Sequence, residues 1–396
     1  MKRIYLNNCI TSQPAPEVID AMLPYYKEKF HFPENFIQPG TERRREIDEF
    51  KKVVADSIKA VPEAVHFTNS GTDANNLAIK GYLSANTDKG QHIICSIVDY
   101  PDILTNAAYF EESGFEVSYL GCDGDAFIDL EELKQELRSD TILVMTTLAN
   151  HTVGTLQDIT EIRKIIDESP SEAALFVDAC QGYGRVPIDV VDMNVDLLTI
   201  SAHKIHGPQG VGALYIKPGI TVAPTRHGVN RIDPLATGAI SIANIAGFAK
   251  AVELAFINFK ENVDYIRSLT RHLYESIERR ISYVMLNGAI CESRAPHNLN
   301  VSFDFIEGEA IMMMLDQYGI SVATGSACFS EGLQANYVMM AMGRNHEQSH
   351  SSMKFTLSRY NTREEIDYVV DKLEEVVKEL RRRSPLYADF ISKYNI

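Results

Sequence analysis

The sequence predicts an α/β protein: a large domain built on a mostly parallel sheet, followed by a smaller α+β C-terminal domain. Three observations carry this expectation. Short apolar runs alternate with segments of helical spacing from about residue 65 to residue 216, the pattern of strands joined by crossover helices. A long helical stretch over about 240–280, with charges at Lys250, Glu253 and Lys260, then carries the chain out of that pattern. Beyond it, strands and helices follow one another as α+β. The expected division is residues 16–250 for the large domain and 251–396 with 1–15 for the small one.

The elements follow in order. Ile4-Tyr5-Leu6 is a short strand, and a helix begins near Pro16, where Val18, Ile19, Met22 and Leu23 share a face. A charged amphipathic segment occupies 41–60. Val65-His66-Phe67-Thr68 is a strand that runs into the small-residue turn Asn69-Ser70-Gly71-Thr72, and from Leu77 the spacing is helical again. A turn of that kind exposes backbone N–H groups at the positive end of a helix, where a phosphate can sit. Further strands are expected at Ile93–Ile97, Glu116–Leu120, Ile142–Met145, Leu175–Val177, Leu197–Ile200 and Gly212–Ile216. After the long helical stretch come a strand at Leu299–Phe303, a helix over 308–318, a small-residue loop at 323–328, a strand at Met353–Leu357 and a charged helix from Arg363 to Arg383.

Composition narrows the function. The chain has 396 residues, 45% of them hydrophobic, enough for substantial cores. Its 54 acidic against 38 basic residues give a formal charge of −16, which opposes attraction to nucleic acid or to an anionic membrane. No uncharged run is long enough to span a bilayer, and the polar N-terminus lacks the core of a signal peptide, so a cytoplasmic protein is expected. Cys9, Cys95, Cys122, Cys180, Cys291 and Cys328 are scattered, which suggests neither a zinc ribbon nor a disulfide framework. His346-Glu347-Gln348-Ser349-His350 fits a zinc-binding spacing that works only on a helix. With Gly343-Arg344-Asn345 before it and a strand soon after, it is expected to be a polar loop, and no metal is expected.

Chemistry gathers at three places. Lys204 lies between His203 and His206 at the end of a strand, where α/β sheets keep their ligands, and a desolvated lysine forms Schiff bases with an aldehyde cofactor such as pyridoxal phosphate. Asp178 ends another strand and suits a protonated pyridine nitrogen. The turn at 70–72 suits the phosphate. Each also has an ordinary reading, as a turn lysine, a capping acid and a helix start; the ordered set is stronger than its parts.

Phe67-Thr68-Asn69-Ser70-Gly71-Thr72-Asp73-Ala74-Asn75-Asn76, Asp178-Ala179-Cys180-Gln181, Ser201-Ala202-His203-Lys204-Ile205-His206-Gly207-Pro208-Gln209-Gly210, Thr324-Gly325-Ser326-Ala327-Cys328 and Ser351–Arg359 resemble the cysteine desulfurases, class V enzymes of the fold type I pyridoxal-phosphate transferases. The resemblance runs in order from Ile4 to Pro385. It implies that Lys204 carries the cofactor and later moves protons, that Asp178 holds the pyridinium, and that Gln181 hydrogen-bonds the phenolic oxygen. It further implies a phosphate site of Thr72, Ser201 and His203 with Gly71, an Asn150 near the cofactor, and an Arg359 that clamps the substrate carboxylate. Cys328 would attack the sulfur of bound L-cysteine, leaving alanine and an enzyme persulfide. A sulfur-acceptor protein, as in iron–sulfur cluster assembly, and a homodimer are implied as partners.

The sequence departs from the family around the substrate. Tyr100 stands where the family has a histidine that stacks on the pyridine ring; tyrosine stacks as well but is a poor base at neutral pH. His151 stands at the family's second asparagine and could take over the lost proton transfer. Ala239 replaces a threonine that reaches the partner subunit's phosphate, and Phe36–Glu42 replaces an early conserved segment of the family. These changes admit an alternative class V reaction, a selenocysteine or cystine C–S lyase or an aminotransferase. A non-catalytic scaffold that binds a sulfur-accepting partner is a third reading, and the basic run Arg381-Arg382-Arg383 is either a docking patch or a helix end favoured by its dipole.

Overall fold

The alternating pattern closes into a seven-stranded sheet in a computed structural model that describes residues 3–228, 233–325 and 335–394. Strand β1 (Ile4–Tyr5) stands apart from it. The sheet consists of β2 (Val65–Thr68), β3 (His92–Ser96), β4 (Glu116–Leu120), β5 (Thr141–Thr147), β6 (Ala174–Asp178), β7 (Leu197–Ser201) and β8 (Gly212–Ile216), in the spatial order β2-β8-β7-β6-β5-β3-β4. All pairings are parallel except those of β8, which runs antiparallel to both β2 and β7. Every residue of β5, β6, β7 and β8 is buried, which is why these strands read as continuous apolar runs. Their alternate side chains serve two cores. Leu175 and Val177 of β6 join Leu198 and Ile200 on one face, while Ala174 and Phe176 join Leu197 and the helix residues Ala78 and Tyr82 on the other.

The stretch over 240–280 is two helices, Ile242–Phe256 and Phe259–Arg280, bent by 75°. The two have different surroundings. The first is buried almost all round against the large sheet and the helices Pro16–Lys27 and Gln38–Ser57, whereas the second buries one face, whose apolar stripe Ile266, Leu269, Leu273 and Ile277 joins a separate core. The chain turns where its partner changes, at Ile257 and Asn258, and Phe256 stacks on Phe259 across the elbow with ring centroids 5.1 Å apart. No single helix among the described residues is long and apolar enough to cross a membrane.

The separate core lies under β9 (Val284–Leu286), β10 (Asn298–Phe303), β11 (Ile320–Ser321), β12 (Ala323–Thr324) and β13 (Ser352–Thr356). An antiparallel sheet has the order β12-β13-β10-β9, and the helices Gly308–Gln317 and Arg363–Arg383 help to cover its core. Strand β1 pairs with β11, so the start of the chain is bound into its last third. The segment His346–His350, expected as a polar loop, is instead a one-turn helix. Asn345 and Gln348 form a capping box, the Asn345 side chain accepting from the Gln348 N–H at 2.8 Å and the Gln348 side chain from the Asn345 N–H at 3.1 Å. No group of three or more metal-ligating side chains occurs among the described residues.

Candidate active site

Parallel pairing places the ends of β6 and β7 side by side, with Asp178 opposite Thr199. The helix Gly71–Ala85 points its N-terminus at this edge. It starts there because Ser70 caps it, accepting from the Asp73 N–H at 3.0 Å. Gly71 allows the approach: a Cβ at this position would stand 2.9 Å from Cys180 Sγ and 3.4 Å from Ser201 Cβ. The Ser201 hydroxyl is buried and has no hydrogen-bonding partner. An orphaned hydroxyl beside a helix N-terminus is a phosphate receptor.

Lys204 follows β7 in a single tight turn, Ala202–Lys204. Arg185 holds the backbone there, donating to the Lys204 carbonyl at 2.6 Å, and the turn closes through His206 at φ 68° and Gly207, whose Cβ would meet the Ala202 carbonyl at 2.7 Å. The Lys204 ammonium is 7% exposed and donates to the carbonyls of Cys9 at 2.5 Å and Ile10 at 3.0 Å. Burial lowers its pKa from the usual lysine value, despite the opposing pull of nearby thiols.

Asp178 is buried, and desolvation raises its pKa even though the Cys180 N–H and Asn75 Nδ2 each donate to it at 2.9 Å. Asn75 is itself locked, because its side-chain oxygen accepts from the Thr199 hydroxyl at 2.6 Å. A cation placed against Asp178 would restore the carboxylate, which is what a protonated pyridine offers.

Tyr100 and His151 meet edge to face, with ring centroids 5.1 Å apart, and Tyr337 stacks on His151 at 5.9 Å. The Tyr337 hydroxyl lies 3.3 Å from His151 Nε2 and donates to the Asp99 carbonyl at 2.6 Å. His151 Nδ1 is buried without a hydrogen bond. Burial first, and then the charges of Lys354 and Lys204, lower the His151 pKa to about 3, so its ring is neutral at physiological pH.

A cavity of about 210 Å³ gathers most of the expected residues: Gly71, Thr72, Tyr100, His151, Asp178, Gln181, Ser201, His203 and Lys204 all line it. Gln181 uses its Nε2 on the Cys9 carbonyl at 3.1 Å and leaves Oε1 without a partner. His203 is tied to the Thr11 hydroxyl at 3.2 Å, and its pKa falls to about 4, chiefly through burial. Asn150 does not line the cavity; its side chain is spent on the backbone of Val98, Thr152 and Val153. Nor does Arg359, which lies over the Tyr360 ring at 5.0 Å. Cys328 lies outside the described residues. Three residues at the site have no role in the sequence reading: Cys9 and Lys354, which line the cavity, and Asn75, which donates to Asp178. Only Asn75 left a signal, as a polar residue within the apolar stripe of Gly71, Ala74, Ala78 and Tyr82.

The donor set fits pyridoxal phosphate. A cradle closed to any Cβ and an orphaned hydroxyl suit the phosphate, a buried acid of raised pKa suits the ring nitrogen, and a buried lysine of lowered pKa lines the same cavity.

Comparison with known proteins agrees with this arrangement. The aminotransferase class-V family model matches residues 4–369. The chain is 40% identical over 386 residues to a cysteine desulfurase IscS of Dictyoglomus turgidum, covering 97% of each protein. It is 38% identical over 385 residues to a cysteine desulfurase IscS of Methanosarcina thermophila, covering 97% of this chain and 94% of the relative. A solved NifS-like protein is 29% identical and superposes with a TM-score of 0.89 over 96% of this chain and 100% of its own.

Proposed function

This chain belongs to the aminotransferase class-V family, and from that premise we propose that it is a pyridoxal-phosphate-dependent cysteine desulfurase, converting L-cysteine to L-alanine and passing on the sulfur as a persulfide. The observation that carries the proposal is the meeting of Lys204, Asp178 and the orphaned Ser201 hydroxyl in one buried cavity.

The cofactor, when bound, supplies an electron sink for bonds broken at the substrate's carbon atoms. The chain supplies the rest. Gly71, Thr72, Ser201 and His203 would hold the phosphate, Gln181 would hydrogen-bond the ring oxygen, and Asp178, oriented by Asn75, would favour a protonated ring nitrogen. Lys204 anchors the cofactor and, because burial favours its neutral amine, can take a proton from the substrate Cα and return it nearby. Tyr100, on the cavity wall, would stack on the ring. His151 passes a proton as a neutral relay, accepting at Nδ1 while its other nitrogen faces the Tyr337 hydroxyl. Arg359 binds the substrate carboxylate, and Cys328 takes the sulfur.

In this reading residues 16–250 form the cofactor-binding domain and 251–396 with 1–15 the smaller one. The enzyme works as a cytoplasmic homodimer and hands sulfur to an acceptor protein. The thiols of the described residues, all unpaired, agree with a reducing compartment.

A second reading, another class V reaction such as C–S lysis or transamination, draws on Tyr100 and His151 at the substrate side of the cavity. One experiment separates the two: the cofactor-loaded protein is mixed with L-cysteine and a thiol reductant, beside a Cys328→Ala variant. Alanine and sulfide in equal amounts, lost in the variant, are expected of a desulfurase. Pyruvate and ammonia, insensitive to the variant, would indicate a lyase, and a change in cofactor absorbance without product would point to another amino acid as substrate.

A further inference from the structure

Two thiols line the cofactor cavity, and their surroundings are opposite. Cys180 lies beside Asp178, and burial together with that carboxylate pushes its pKa well above the usual thiol value. Cys9 is as deeply enclosed, at 1% exposure, and burial alone would raise it too. The charges of Lys354 and Lys204, with hydrogen bonds from Thr356 and Lys354, outweigh that effect and lower its pKa. The thiol proton otherwise has only Asn7 Oδ1, at 3.7 Å.

Lys354 makes the arrangement unusual. It projects from β13 into the cavity at 2% exposure, donates to the His151 carbonyl at 3.2 Å, and forms no ion pair with a carboxylate among the described residues. A buried ammonium needs an anion, and the Cys9 thiol, which meets Lys354 through charge and a hydrogen bond, is able to become one. Cys9 is also fixed in place: its N–H donates to the Thr356 hydroxyl at 3.0 Å, and its carbonyl accepts from Lys204 at 2.5 Å. The sulfur is thus held at the wall of the same cavity as the cofactor lysine, with His151 Nδ1 unpartnered on that wall as well.

We propose that Cys9 is a second sulfur-accepting residue of the active site, with Lys354 as the group that holds its thiolate; the proposal rests on the desulfurase reading. The Cys9 thiolate attacks the sulfur of bound L-cysteine, and a sulfur–sulfur bond forms as the substrate's Cβ–sulfur bond breaks. The electron pair of the broken bond stays with the carbon fragment, which takes up a proton and leaves as alanine. The substrate carbon is reduced and the sulfur oxidised by the same two electrons, so no outside oxidant is needed. Sulfur on Cys9 is enclosed, unlike sulfur bound for an acceptor protein, and constitutes a store inside the cavity.

The test uses the cofactor-loaded full chain and a Cys328→Ser variant, each given L-cysteine without reductant, blocked with an alkylating agent and mapped by peptide mass. An added sulfur atom on the Cys9 peptide of Cys328→Ser, absent when Cys9→Ala or Lys354→Met is combined with it, is expected. Cofactor absorbance checks that each variant keeps its site. A second readout needs no turnover: iodoacetamide should label Cys9 roughly tenfold faster than Cys180, and Lys354→Met should abolish that difference. Sulfur on Cys328 of the unmodified chain with none on Cys9 in any sample overturns this inference and leaves the desulfurase reading standing. Absence of alanine and of persulfide at both cysteines overturns both.

Discussion

Asn75 donates to Asp178 at 2.9 Å from a helix that begins at the phosphate end of the cavity, so one helix serves both ends of the cofactor site. Replacing Asn75 by leucine keeps the branched shape and removes the hydrogen bond to Asp178 together with the one from Thr199; losing the bond to the charged group costs about 1.5–3 kcal/mol. The expected result is a cofactor affinity about tenfold to a hundredfold weaker. Titration of stripped protein with pyridoxal phosphate, followed by absorbance, measures it; an unchanged affinity would mean that Asn75 has no part in orienting Asp178.

Gly71 offers a test of packing. In Gly71→Ala the new methyl group meets Cys180 Sγ at 2.9 Å, and overpacking of this kind costs about 1–3 kcal/mol. Adding Cys180→Ala removes the obstructing sulfur, so the double variant should be more stable than the sum of the two single changes. Urea unfolding of the four proteins decides it, and strict additivity would place the strain elsewhere.

His206 predicts an acid sensitivity. Burial, chiefly, lowers its pKa from 6.5 to about 3 in the folded chain. Between those values the unfolded chain binds a proton that the folded chain refuses, so stability is complete above the upper value and is lost as pH falls towards the lower one. In His206→Asn, which tolerates the positive φ, that loss disappears. The variant should gain on the parent by about 1.4 kcal/mol for each pH unit in this window. Urea midpoints measured at several pH values will show the difference, and parallel pH curves would contradict it.

The His151 relay has its own signature. His151→Ala should slow turnover by about a hundredfold or more and change the pH profile of kcat, and Tyr337→Phe should reproduce a smaller part of the same change. A pH profile untouched by His151→Ala would remove this residue from proton transfer.

Sequence pattern revealed most of the sheet because strands buried on both faces carry apolar runs whose ends are marked by Asp178 and Ser201. Asp178, Lys204 and the turn at 70–72 were legible for the same reason, since they sit at strand ends, whereas Gln181, Ser201 and His203 entered through the family resemblance. The bend at Ile257 and Asn258 was not legible, because apolar spacing records that a helix is buried and not which surface buries it. Lys354 was hidden in a similar way. A lysine in a strand looks like a solvated residue until the N-terminal segment is laid across it. The turn at 346–350 carried its capping pair Asn345 and Gln348 in plain sight, but the neighbouring glycine and serines outweighed it.

The first residues of the chain cross the active site before joining its last strands: Asn8 donates to the carbonyl of Thr356, 348 positions away, and Ser12 to that of His203. On a ribosome that adds about 5–20 residues per second, the two ends of this strap emerge roughly 17–70 s apart. For roughly the last 8–30 s of that interval the nascent chain has Lys204 but not the wall that contains Lys354. The site becomes a closed chamber only after β13 has emerged, so commitment to chemistry is timed by the arrival of that strand.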